Sequence, residues 1–214
     1  MYDSSLTLGL LGLAAARDVQ DALHALTGSI QPEGWSHQIS AGGEPTIRYS
    51  VARQALLGEF AGAGWARADL KWTLAASIGT VTEGSLGLNL RWGRLASPWW
   101  AFAPEQTTYV QDPQPAPPRL PRSDSPEVFA MLGARVKLRA YNAFLQGQFR
   151  HSDLRYSAGE VNQVLGEAWA GVEFRTASGL ELRYLARWQS PELRAGIGSR
   201  SIVWGSFEVA KSFD

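Results

Sequence analysis

The sequence predicts an all-β protein: an antiparallel transmembrane β-barrel of about nine strands, with a short amphipathic helix in a rim loop. Three observations predict it. Segment after segment alternates apolar and polar residues with a period of two, so each strand has one oily face and one wet face. The wet faces carry both signs of charge, as in Arg67, Asp69 and Lys71, which suits a polar lumen. Aromatic residues gather at strand ends and at Trp99-Trp100, as an interfacial girdle would, and the chain closes on an alternating strand, Phe207 to Phe213. Alternation alone also fits a soluble sandwich, or a soluble barrel with its oily faces turned inward. The charges and aromatics select the membrane barrel.

The first strand is read over Leu6 to Leu13. The apolar run from Leu6 to Ala16 resembles a signal-peptide core, but Met1 to Ser5 offers only Asp3 and no basic residue, and the run is too short for a membrane helix. A strand followed by a helix start is expected, with no signal peptide in the chain. From Ala14 the period changes. Val19, Ala22, Leu23 and Leu26 recur at helical spacing and Gly28 is placed as a cap, which predicts a helix over 14–27. Gln20 and His24, four apart, share its polar side, and Asp21 lies one turn before His24.

Strands follow at Ile47–Val51, Ala66–Ala76 and Ser85–Trp92, the last with Leu86, Leu88, Leu90 and Trp92 on its oily face. Residues 97–127 hold Pro113, Pro115, Pro117, Pro118, Pro121 and Pro126, a density that no sheet tolerates, so a long loop is expected. Beyond it, Leu132–Tyr141, a piece around Ala143–Phe149, Glu167–Arg175, Leu180–Trp188 and Val203–Phe213 complete the strands, with a loop near 190–201.

Composition bounds the function. The 214 residues carry 20 basic and 20 acidic side chains, a balance that gives no footprint for nucleic acid. There is no cysteine, hence no disulfide, thiolate metal site or thiol nucleophile. The apolar content of 45% excludes disorder, and one domain over 1–214 is expected.

Histidine is the scarcest informative residue: His24, His37 and His151 are the whole supply. No H-E-x-x-H, G-x-S-x-G or glycine-rich phosphate loop is present. Three histidines so far apart do not argue for a metal site. On the residues alone, His24 reads as a polar residue of a surface helix, His151 as part of a solvated loop, and the lumen arginines as a salt-bridge lattice.

Several ordered motifs add a family resemblance. They are Leu6-Thr7-Leu8-Gly9-Leu10-Leu11-Gly12, Gln20-x-x-x-His24, Thr27-Gly28-Ser29, Gly34-Trp35-x-x-Gln38, Pro117-Pro118-Arg119 and Tyr141-Asn142-Ala143-Phe144-Leu145-Gln146-Gly147. Together they resemble the lipid A 3′-O-deacylase (LpxR) family of Gram-negative outer membranes. The resemblance implies a twelve-stranded barrel that acts on the lipid A of lipopolysaccharide and hydrolyses the ester of its 3′ acyloxyacyl chain. It further implies a monomer in the bacterial outer membrane and dependence on Ca2+. Gln20 and His24 match the family's site glutamine and histidine, with histidine as general base on a water.

Two departures bear on activity. The family's acidic partner falls in Ile30-Gln31-Pro32-Glu33, so it is either shifted to Glu33 or replaced by Gln31, which cannot act as a carboxylate. The family's first strands, with an Asn-Asp pair and a Y-T-N-G segment, have no counterpart, so the chain resembles about the C-terminal two thirds and is expected to be truncated at its N-terminus. The alternatives are a non-catalytic outer-membrane barrel, as a pore or structural relic, and a soluble barrel that binds an apolar ligand.

Overall fold

A computed structural model describes residues 1–12, 14–30, 43–62, 64–102, 104, 125–149 and 155–211. Eight strands form one antiparallel sheet in chain order: β1 (Tyr2–Leu11), β2 (Glu44–Ala61), β3 (Arg67–Gly79), β4 (Val81–Arg94), β5 (Glu127–Asn142), β6 (Val164–Arg175), β7 (Leu180–Gln189) and β8 (Ile202–Lys211). A helix α1 (Ala14–Thr27) joins β1 to β2, and a four-residue helix α2 (Ala143–Gln146) follows β5. Each strand pairs with its sequence neighbours, and among the described residues β1 and β8 pair on one side only.

The sheet curls, and its two faces separate by chemistry. The enclosed face buries Gln54, Asp69, Lys71, Asn89, Arg91, Lys137, Glu167, Glu173 and Arg187. The outer face exposes Leu74, Leu86, Leu88, Leu132, Val136, Val172, Phe207 and Val209, each at least half exposed. In water that arrangement would be inverted; in lipid it is the stable one. The soluble apolar-ligand reading is thereby overturned, because the oily faces point away from the lumen.

The enclosed charges neutralise one another. Glu83 accepts from Arg139 at 2.8 Å and meets Arg48 at 3.4 Å, while Glu167 binds Arg135 at 2.6 Å and Lys137. Nearer the other end, Arg91 pairs with Asp69 at 2.5 Å, and Glu173 takes both Arg175 and Arg183. The expected salt-bridge lattice is present.

Two expectations need correction. The piece around Ala143–Phe149 is no strand, so the sheet has eight strands among the described residues where about nine were expected. Asn142 caps α2 by accepting from the Phe144 N–H at 3.0 Å, and Gly147, at φ 72°, ends it. Trp99 and Trp100, expected in an interfacial aromatic girdle, are half-buried. They lie in a single 3-10 turn, Trp99–Ala101, of a segment that folds back into the sheet's interior. There Phe102 stacks edge-on against Phe129, with centroids 5.4 Å apart, and joins Met131, Trp169 and Leu185 in a small apolar core. Lys71 donates to the Phe102 carbonyl and Arg187 to that of Pro104. Ser97 donates through its hydroxyl to Glu127 at 2.7 Å. The lumen is therefore plugged by the first part of the loop expected at 97–127; residues 103 and 105–124 of that loop lie outside the described residues.

Candidate active site

Antiparallel order decides which loops share an end. α1, the tight turn at Gly79-Thr80, α2 with residues 155–163, and the loop at 190–201 all fall at one end. The turns at 62–66 and 176–179 and the plug segment fall at the other.

α1 presents its apolar residues outward: Val19, Leu23 and Leu26 are 60%, 55% and 83% exposed. Spaced i, i+4 and i+7, they form one stripe. Gln20 and His24 are half-buried, one turn apart on the same helix. Asp21 pairs with Arg17 at 3.8 Å. The helix ends on Gly28, at φ 66°, and the Ser29 N–H donates to the His24 carbonyl at 2.9 Å. That closure turns the chain back along the helix. It brings the Ile30 carbonyl to 2.6 Å from His24 Nδ1.

A carbonyl oxygen can only accept. His24 Nδ1 therefore carries the hydrogen, and in the neutral ring Nε2 holds the free lone pair. The sequence placed histidine on the helix; the turn back at Gly28 assigns its tautomer. Glu33, the candidate acid, lies outside the described residues, as do Gly34, Trp35, Gln38, His37 and His151.

The Tyr141–Gly147 motif arrives at the same end by a route the sequence did not show. The Ala143 N–H donates to the Thr80 carbonyl at 2.8 Å, and Tyr141 donates to the Gly147 carbonyl. Beyond α2, Gln148 donates to the Pro45 carbonyl at 2.6 Å, and the Phe149 N–H to the buried carboxylate of Glu44 at 3.0 Å. The segment after β5 thus reaches over two strands to the root of the loop that carries α1. Glu44 was missed: one glutamate opening a strand has no pattern to mark it. Farther along the same connection, Asn162 donates to the Pro191 carbonyl at 2.8 Å, and Val161 bridges to Leu193, which joins it to the loop after β7. Glu160 there accepts from the Ser157 N–H and hydroxyl, both at 2.8 Å, which holds its carboxyl below the usual range.

Among the described residues, no three acidic or histidine side chains converge as a metal site would need. The described part of this end does not by itself form a calcium cage.

Comparison with known proteins agrees with this geometry. No curated protein matches the sequence. A solved structure, LpxR from Salmonella typhimurium, superposes with a TM-score of 0.74 at 14% identity, over 99% of this chain and 67% of that one. At such identity the likeness shows the fold. A family model described as outer membrane protein LpxR matches residues 1–213. Strand order, the outward apolar faces and a match across nearly the whole chain converge: the chain belongs to the LpxR family of outer-membrane β-barrel proteins.

Proposed function

We propose that this protein is a lipid A deacylase-like enzyme of the outer membrane, with His24 as general base for hydrolysis of the 3′ acyloxyacyl ester. The observation that carries the reading is the hydrogen bond from His24 Nδ1 to the Ile30 carbonyl, which leaves Nε2 as the basic nitrogen. Nε2 takes a proton from water as the water oxygen attacks the ester carbonyl carbon. The tetrahedral intermediate then collapses, the imidazolium returns the proton to the departing sugar oxygen, and a free fatty acid and a sugar hydroxyl result. Gln20, one turn earlier, positions water or substrate by hydrogen bonding, and Glu33 supplies the acidic partner. The exposed stripe of Val19, Leu23 and Leu26 suits a helix lying against acyl chains.

Ca2+ enters this proposal through the family resemblance alone. The assay is release of the 3′ acyl chain from purified lipid A by the detergent-folded protein, with Ca2+ and with chelator. His24→Ala is expected to abolish release while the barrel stays folded, and His37→Ala and His151→Ala to change little. Full activity in His24→Ala would remove the mechanism. No activity in the unaltered chain would favour the non-catalytic barrel.

A further inference from the structure

α1 carries two candidate site residues, yet little of the barrel holds it. Among the described residues no strand packs along the helix. Its own sequence is a weak source of stability. A helix of 14 residues is marginal alone in water, and the first turn has no acidic side chain to meet the macrodipole. The apolar stripe that could anchor it faces away from the barrel: Val19, Leu23 and Leu26 are exposed, and Ile30 just beyond the helix is 90% exposed. An apolar face of this kind calls for an occupant.

The rim of the barrel shows which occupant. Outward apolar side chains run up to this end on strand after strand: Leu10 of β1, Ile47 of β2, Ile78 of β3, Leu138 of β5, Val164 of β6 and Val203 of β8, all exposed. Leu10 and Ile78 are the last but one residues of their strands, and Val164 is the first of its own. The lipid-facing belt therefore reaches the strand ends here, and α1 begins directly beyond it, at Ala14 after Leu11 closes β1. A helix rooted at the edge of that belt lies where head groups meet acyl chains, the depth at which an amphipathic helix buries one face. On the side away from the stripe, Arg17 pairs with Asp21 at 3.8 Å, so these charges stay out of the hydrocarbon.

We propose that α1 is an interfacial helix: Val19, Leu23 and Leu26 dock into the acyl boundary of the leaflet at this end, and that docking holds the helix together. The docking rests on the outer face meeting lipid. Its consequence for the site rests on the deacylase reading. Gln20 keeps its one-turn spacing from His24, and His24 its bond to the Ile30 carbonyl, only while α1 is helical and its C-terminal turn is closed. A lipid surface then both presents the substrate and orders the residues that act on it.

The chain has no cysteine, so one introduced thiol takes a bimane fluorophore at a single position. The full chain is folded into phosphatidylcholine vesicles as Leu23→Cys or Leu26→Cys on the stripe, or as Asp18→Cys off it. Both stripe labels should be quenched by lipid brominated near the head group and spared by iodide in the water, and the label at 18 should behave in the opposite way. When Leu23→Gln and Leu26→Gln are added to Asp18→Cys, the anisotropy of that label should fall to that of an unstructured chain. Heat-shifted gel mobility should still report a folded barrel. Stripe labels open to iodide would overturn the docking. Stripe labels hidden from both quenchers would overturn it equally, because protein then covers the helix. Unchanged anisotropy would show that lipid does not hold the helix together. Leu23→Gln with Leu26→Gln should also lose most of the release of the 3′ acyl chain, and full release from a melted helix would overturn the consequence for the site. An inactive unaltered chain sinks the deacylase reading, while the labels still decide the docking.

Discussion

The tautomer of His24 depends on the three residues that follow α1. Gly28 takes a left-handed conformation, Ser29 closes the helix onto the His24 carbonyl, and Ile30 then offers its own carbonyl to Nδ1. A side chain at position 28 would strain that turn, so the histidine's orientation depends on a glycine four residues away. A second glycine matters for packing. The indole of Trp169 lies over Gly133 and donates to Asn89 Oδ1 at 3.0 Å, and a Cβ at 133 would stand 2.4 Å from the ring. Gly133→Ala should destabilise the barrel by about 1–3 kcal/mol, as overpacking does, read as a lower urea midpoint for the folded form in micelles. No change would mean that the indole has room to move away.

Each strand carries its environment in its alternation, and the structure shows where that code holds. On β4, Leu86, Leu88 and Trp92 are exposed while Gly87, Asn89 and Arg91 are buried. Leu88→Arg places a charge on the lipid face and should cost about 2–4 kcal/mol if the position lies near the midplane; Leu88→Val should be mild. Folding into vesicles under a urea titration reads the difference, and equal stability of the two variants would show that this face does not meet lipid. The code fails in two kinds of place. Between β5 and β6 a short apolar run became a capped helical turn, because Asn142 offered a side-chain acceptor. On the wet faces, Phe129, Met131, Trp169 and Leu185 break the polar pattern, because their partner is Phe102.

At the scale of the molecule, the eight strands of the described residues curl around a filled interior. The plug segment from Leu95 to Pro104 lies among buried ions and rings: Arg91 over Phe129 at 5.2 Å and over Phe102 at 5.6 Å, with Arg187 over Trp169 at 5.3 Å. Such contacts leave little space for a permeating ion, and this counts against the pore reading. In planar bilayers the unaltered protein should show no steady conductance; steady channel currents at moderate voltage would contradict a filled lumen. The outer edges of β1 and β8 stay unpaired among the described residues. In hydrocarbon such edges need partners. The chain covers 67% of the Salmonella protein, which is larger by the part that has no counterpart here.

By itself the sequence determined the strands, their inward and outward faces, the helix with Gln20 and His24, and membership suggested by ordered motifs. Periodicity is a local property: neighbouring residues in an extended chain must point to opposite sides, so burial on one side writes itself into every second position. What only the tertiary structure decided is non-local. It closed the C-terminus of α1 onto the His24 ring, laid the segment after β5 against Glu44 and Pro45, and turned the loop after β4 inward as a plug. Those contacts join residues up to 105 positions apart, through backbone carbonyls and single carboxylates that leave no periodic mark.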